Sequence, residues 1–320
     1  VKHRVDSEQV RHITQHIHDL PTLPTTVARL IDIIDRPDTS AQDLSRIISS
    51  DQVLAAQILK LANSAYYGFP RKINTITLAI VVLGFETIKN LVLSVSVIDR
   101  FSRYQHAIPF DVYLFWEHAI ATGLASRMLA RDFGYQVVGE AFVAGLLHDI
   151  GKYVMSLYFR DQFERVFSRM IDEDIPMFQL EAELLDGAHH GVIGGWLAER
   201  WNLPERIVEG IALHHTPADA EEEHKLPWVI HFADYLVKRL GVGYSGDMST
   251  PTFDGQIQSV FEMREKEDGT LDEPFYLNRL RNELDAEHSL FSMARRHQEY
   301  SQYPNLPAGL RRSGYAVTQS

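Results

Sequence analysis

The 320 residues, 45% of them hydrophobic, suffice for a large buried core and suggest two packed lobes rather than one. With 31 Lys and Arg against 43 Asp and Glu, the formal charge of −12 disfavours sequence-independent contact with a phosphate backbone, and no strong basic cluster offsets it. Cysteine is absent, which removes disulfides, thiolate metal sites and a cysteine nucleophile, and no window approaches the run of about eighteen uncharged apolar residues that a membrane span needs.

The first residues, Val1-Lys2-His3-Arg4, lead into a polar, His-rich stretch instead of a signal-peptide core, so a soluble, cytoplasmic protein is expected. The missing initiator Met suggests a trimmed chain or part of a longer protein. Residues 1–105 read as helices with little strand signal. After Pro24, Val27, Leu30, Ile31 and Ile34 recur at helical spacing until Pro37 and Asp38 stop the run. Thr39 or Ser40 caps a helix reaching Ile48. Asp51 caps the next, where Leu54, Ile58, Leu61 and Ala62 form one apolar stripe before Gly68-Phe69-Pro70 ends it. Residues 73–83 are rich in β-branched side chains, yet Gly84 and the helical neighbours favour a helix. Residues 87–101 are apolar on nearly every side, which puts that helix inside, between the lobes.

Residues 106–245 make the second lobe. Helices are expected over 115–129, over 139–155 with Phe142, Leu146, Leu147 and Ile150 as the apolar set, and over the shorter stretch 181–185. Another spans 190–201, and Pro204 opens one that carries Ile207 and Ile211 into His214-His215, where Thr216-Pro217 ends it. The acidic stretch 219–223 reads as a solvated loop. Leu226-Pro227 restarts the chain into a helix through Leu240, with Val229, Ala233, Leu236 and Leu240 on the buried stripe. Residues 246–320 form an extension: 243–255 reads as a linker or long loop, and 256–300 as two helices, the second ending at Arg295-Arg296-His297. The last twenty residues read as a loosely docked or disordered tail.

The chemistry concentrates at His148-Asp149-Ile150-Gly151-Lys152. Adjacent His and Asp can present a ring nitrogen and a carboxylate oxygen to one ion cluster, and His118, His190, His214, His215 and Asp234 are the types that complete its coordination. A lone His-Asp pair often only caps a helix, but several separate His segments point to a two-metal site. Five neutral imidazoles and two carboxylates leave a site loaded with two divalent ions positive, which favours a phosphate. Lys152 shares a helical face with His148 and Asp149, where its ammonium can reach a phosphate oxygen. Phosphoester hydrolysis is the enzymatic expectation, with Asp149 bridging the metals and Lys152 orienting the substrate. Iron or manganese suits this donor set best, and zinc or cobalt also fits.

Some candidates stay open. His189 competes with His190 for the inward position, and His231 is a candidate to orient Asp234. By periodicity Asp234 flanks its stripe and reads as a solvated carboxylate. Glu117 and Glu183 are further carboxylate candidates, while His3, His12, His16, His18, His224, His288 and His297 read as surface residues.

Leu20-Pro21-Thr22-Leu23-Pro24, Ile48-Ser49-Ser50-Asp51, Leu59-Lys60-Leu61-Ala62-Asn63-Ser64-Ala65, Ala79-Ile80 and Leu83-Gly84 carry a narrower match. With these, residues 20–241 resemble the HDOD domain, the HD-related output domain of bacterial signalling proteins, within the HD metal-dependent phosphohydrolase superfamily. The resemblance implies an all-α fold, a helical N-terminal subdomain packed on an HD-type helical domain. It also implies a place downstream of a sensory or receiver domain, and a family that often lacks metal ligands and established catalysis. Here the full set His118, His148, Asp149, His190, His214, His215 and Asp234 is kept, similar to the dinuclear set of the HD-GYP cyclic-dinucleotide phosphodiesterases. Thr216-Pro217-Ala218-Asp219 follows His214-His215 in place of a Gly-Tyr-Pro loop, which argues against cyclic di-GMP hydrolysis. Two functions are therefore expected: a signalling or regulatory module whose helical lobes form a partner-binding or ligand-sensing platform, with metals in a structural role, or a phosphohydrolase acting on a nucleotide or other phosphoester. Nucleic-acid binding has only Arg295-Arg296 and Arg311-Arg312 in its favour, against the −12 charge.

Overall fold

The computed structural model describes residues 22–34, 36, 38–63, 72–102, 110–135, 138–173, 175–247, 249, 253–286 and 291. Its first helices begin where a backbone carbonyl or a capping side chain accepts from the N–H groups of the first turn. Helix α1 (Thr25–Ile34) follows Pro24, whose carbonyl accepts from Val27 and Ala28. Ser40 and Asp43 form a reciprocal capping box at α2 (Ala41–Ser49), and Asp51 Oδ1 accepts from Leu54 N at 3.0 Å to start α3 (Gln52–Ala62). Asn63 then clamps the returning chain: its amide donates to Ile73 O at 2.7 Å and its Oδ1 accepts from Ile73 N at 2.8 Å. Thr75 caps α4 (Ile76–Leu83), and Gly84, at φ 84°, turns the chain into α5 (Phe85–Ser102).

As its sequence requires, α5 is buried all round. Ile88, Leu91, Val92, Leu93, Val95, Val97, Ile98 and Phe101 are each at most 3% exposed. The helix packs against α1, α3 and α4 on one side and against α7 (Val138–Leu147) on the other. Burying a large apolar side chain is worth about 1.5–3 kcal/mol, so this one helix ties the two parts of the chain together. Phe101 extends the seam, edge-on to Tyr153 at 5.4 Å and to Trp201 at 6.0 Å between ring centroids.

Asp111 caps α6 (Val112–Asp132), which forms the centre of the second half and packs along α7. The single helix expected over 139–155 is two. The chain leaves helical geometry at His148–Asp149 and restarts as α8 (Ile150–Tyr158), so the His-Asp pair lies at a joint. Then come α9 (Arg160–Glu173), α10 (Met177–Leu184), α11 (His190–Arg200), α12 (Glu205–Ala212), a single 3-10 turn at Pro217–Asp219 and α13 (Leu226–Leu240). Helix α9 has no counterpart among the sequence expectations, because Arg160, Asp161, Glu164, Arg165 and Arg169 dilute the stripe of Phe163, Val166 and Met170. His214-His215 lies just past the end of α12.

The described part of the extension is docked. After α14 (Ile257–Val260), α15 (Glu273–Ala286) lies on α6 and α13, with Arg127 to Glu283 at 3.0 Å, Arg279 to Asp132 at 2.9 Å and Tyr235 Oη donating to Glu273 at 2.9 Å. Of the stretch expected as a linker, Gly243 and Tyr244 pack onto α6, and Ser245 and Asp247 are buried. The expected helix end at Arg295-Arg296-His297, the tail and Arg311-Arg312 lie outside the described residues. Among the described residues there is no strand, only an isolated bridge between Glu265 and Leu271, and no helix is long and apolar enough to cross a membrane.

Candidate metal centre

Three helices and two connecting turns deliver seven donors to one buried region. His118 comes from the middle of α6, His148 and Asp149 from the joint between α7 and α8, and His190 from the first residue of α11. His214 and His215 follow α12, and Asp234 comes from α13. The joint works because α8 crosses α11 at close range: a Cβ on Gly151 would lie 1.9 Å from His190 O. Any side chain there would hold Asp149 away from His190.

Two overlapping groups result. In the first, His118 Nε2 is 3.0 Å from Asp234 Oδ1 and 3.9 Å from Asp149 Oδ2, while His148 Nε2 is 3.3 Å from Asp149 Oδ2 and 3.7 Å from Asp234 Oδ1. In the second, Asp149 Oδ1 is 3.1 Å from His190 Nε2 and 4.0 Å from His214 Nε2, and His190 Nε2 is 2.9 Å from His215 Nε2. Donors held about 2.1 Å from a common ion sit roughly 3.0–3.4 Å from their neighbours in octahedral or tetrahedral arrays. The observed spacings have that scale. Asp149 turns one oxygen to each group.

The rings are oriented as coordination needs. His148 Nδ1 donates to Gly145 O and His214 Nδ1 to Ile211 O, each at 2.7 Å, and a carbonyl can only accept, so the proton sits on Nδ1 and Nε2 points inward. His190 Nδ1 lies 2.5 Å from Glu181 Oε2, which also accepts His190 N at 2.9 Å. His148 Nε2, His214 Nε2 and Asp234 Oδ1 are buried without a hydrogen-bond partner. Leaving such atoms unsatisfied costs about 1–3 kcal/mol each; a cation in the first group would satisfy His148 Nε2 and Asp234 Oδ1, and one in the second would satisfy His214 Nε2. The donor set therefore fits divalent ions.

Electrostatics point the same way. Burial opposes a charge on His148, but Asp149 and Asp234 outweigh it and raise its pKa to about 9. Burial also opposes ionisation of Asp149 and Asp234; His148 and Lys152 hold the first well below the usual carboxylate range, and Lys238 with His118 and His148 does so for the second. Burial pushes His118, His214 and His215 down, which keeps them neutral and able to coordinate. A pocket that draws a proton onto a fully buried imidazole is one short of positive charge.

The structure corrects several expectations. Asp234, solvated by periodicity, is 2% exposed. His231 donates from Nδ1 to His214 O at 2.8 Å and so steadies the turn after α12, not Asp234. Glu183 pairs with Arg169 at the surface and Glu117 accepts the Tyr113 hydroxyl, so neither joins the two groups of donors. His224 is half-buried against Glu209 instead of lying free at the surface. His189 precedes α11 without a side-chain capping bond and lies beside Phe178 and His215, outside the donor groups, and burial followed by the neighbouring His190 lowers its pKa to about 4. Lys152 is 1% exposed, with Nζ 2.8 Å from Asp149 Oδ2 and 3.4 Å from Ser245 Oγ.

Glu181 and Lys238 have roles that the sequence reading missed. Glu181 shares a helical face with Met177 and Leu184, so a carboxylate on an apolar stripe was the available signal. Lys238 stands one turn after Asp234, with Nζ 3.1 Å from Asp234 Oδ2. The candidate ligands are enclosed save at one edge, where half-buried His215 stacks on Phe178 at 4.3 Å with 8° between the rings.

Comparison with known proteins gives a consistent picture. A family model, the HDOD domain, matches residues 20–217. A protein of uncharacterised function from Treponema pallidum (strain Nichols) is 30% identical over 230 residues; the match covers 71% of this chain and 44% of that protein, so the chain spans less than half of that relative's length. Among solved structures, an HDOD domain protein of unknown function from Geobacter sulfurreducens aligns with TM-score 0.73 at 24% identity, covering 89% of this chain and 97% of the other. A protein provisionally named for signal transduction, from Marinobacter aquaeolei VT8, aligns with TM-score 0.69 at 23% identity, covering 93% and 67%. Both alignments show the shared all-helical fold.

Proposed function

The chain belongs to the HDOD domain family, and from that premise we propose that it is a signal-transduction output module built around an enclosed dinuclear metal centre. In this reading His118, His148, Asp149 and Asp234 would hold one ion, Asp149, His190, His214 and His215 the other, and iron or manganese is the best match to the donors. The observation that carries it is enclosure: His118, His148, Asp149, His190, His214 and Asp234 are all at most 2% exposed. A site sealed on most sides suits ions that stabilise the fold or report on their own occupancy better than one that exchanges substrate rapidly. The signalling name of the Marinobacter aquaeolei VT8 protein agrees with this role. The expected setting is the bacterial cytoplasm, downstream of a sensory or receiver domain and facing a protein partner.

A second reading, a phosphohydrolase acting on a nucleotide or other phosphoester, is favoured by the opening at His215. Two divalent ions would supply a hydroxide at neutral pH and neutralise charge developing on a phosphoryl oxygen. Asp149 would bridge and orient, and Lys152 would hold positive charge beside a bound phosphate. Metal analysis of the purified chain, with turnover assays on nucleotides, cyclic dinucleotides and a generic phosphodiester in iron or manganese, separates the two. Two bound ions without turnover are expected. Turnover abolished in a folded Asp149→Ala variant would replace the output module with the hydrolase, and absence of bound metal would remove both.

A further inference from the structure

Asp234 uses its two oxygens differently. Oδ1 faces His118 and His148, while Oδ2 is taken by Lys238 Nζ at 3.1 Å. Lys238 in turn has Asp247 Oδ2 at 3.7 Å, and Asp247 is only 6% exposed. Both residues lie beyond residues 20–217, the part matched by the family model.

The segment that brings Asp247 there is fixed at every step. Gly241 leaves α13 in the left-handed conformation, at φ 69°. Gly243, at φ 67°, presses so closely on α6 that a Cβ would lie 2.2 Å from His118 N and 2.5 Å from Leu114 O. Tyr244 N donates to Leu114 O at 2.9 Å, and Lys152 Nζ donates to Ser245 Oγ at 3.4 Å. Asp247 Oδ1 accepts Ser249 N at 2.9 Å, which leaves Oδ2 turned to Lys238. The contacts of Gly243, Tyr244, Ser245 and Asp247 Oδ2 thus fall on the helix that bears His118 or on the lysine partner of Asp149 or Asp234.

We propose that Lys238 and Asp247 are positioning residues for Asp234, and that residues 243–247 form a strap that locks this carboxylate into presenting one oxygen to a cation. Lys238 prevents the carboxylate from rotating, and Asp247 supplies the second anion that keeps the ammonium in place. For its metal arm the inference rests on the dinuclear reading above; its metal-free arm does not.

The test compares wild type with Asp247→Asn, Lys238→Arg and Lys238→Met. In the metal-free chain, Asp247→Asn is expected to speed hydrogen exchange in residues 242–247 while residues 41–62 stay unchanged. In Mn2+ titration it should weaken one of two binding events about tenfold, the scale of losses when a ligand's supporting partner is removed. Lys238→Arg should retain more affinity than Lys238→Met, which a space-filling role would not produce. Gly243→Ala, which forces the same segment off α6 without changing charge, is the second variant if Asp247→Asn does not fold. Unchanged exchange in residues 242–247, or wild-type Mn2+ affinity in a loosened variant, overturns the inference. A wild-type chain that takes up no Mn2+ overturns the dinuclear reading instead, and the metal-free exchange then decides the strap alone.

Discussion

Replacing Gly151 by Ala tests the geometry on which the centre depends. In an ordinary helix the change is favourable, by about 1 kcal/mol of helix propensity. Here the added Cβ would sit 1.9 Å from His190 O and 2.8 Å from Gly194 N. These are backbone atoms of α11 and cannot swing aside like the end of a long side chain, so α8 and α11 must separate by roughly an ångström. Inserting a methyl into a well-packed contact costs about 1–3 kcal/mol, and a rigid backbone neighbour puts this site at or above the upper end. The net expectation is a loss of about 2 kcal/mol in urea unfolding of the metal-free chain. The same separation draws His190 Nε2 away from Asp149 Oδ1, now 3.1 Å apart, so the second group of donors should lose metal affinity before the first. Metal titration beside the denaturation curve reads both effects. A Gly151→Ala chain more stable than wild type, with unaltered metal uptake, would refute the close-approach argument.

Four other expectations follow from the site. Asp149→Asn should abolish uptake of both ions while Asp234→Asn removes one, because only Asp149 faces both groups; elemental analysis of the two folded variants distinguishes them. Glu181→Gln should lower affinity at the second group by about tenfold, since the neutral amide no longer anchors the His190 ring as a carboxylate does, and Mn2+ titration checks it. With a pKa raised to about 9, His148 carries a proton in the metal-free chain that a cation must displace. Affinity at the first group should therefore rise by up to about tenfold per pH unit until about pH 9 and level off above it. The same proton contributes stability to the metal-free fold that is fully present below pH 6.5 and is lost as pH rises through about 9; urea unfolding across that range, with a chelator present, tests the sign.

The all-helical class and most helices were legible because their signals are local. Ser40, Asp51 and Thr75 cap where short polar residues precede apolar periodicity, and α5 announced its burial by lacking a polar face. Three features were not legible, for a shared reason. The break at His148–Asp149, the burial of Asp234 and the inward strap at 243–247 are set by contacts between elements distant in sequence. Periodicity along 139–155 has no term for α11 crossing at Gly151, and the stripe of α13 cannot show that Lys238, His118 and His148 compensate the charge of Asp234. Of the candidate site, the donor residues could be named from their types and order. Their supporting partners, Glu181 and Lys238, could not, because such a role exists only once another helix arrives.

Helix α5 limits how this molecule can respond to anything it binds. Because its apolar side chains are covered from both directions, sliding the earlier helices away from the later ones would wet several residues, each worth about 1.5–3 kcal/mol. That sum rivals the whole margin of stability of a typical fold, about 5–15 kcal/mol. A hinge-like opening between the halves is thus energetically closed, which leaves small rearrangements at the periphery, in turns and in the docked α15.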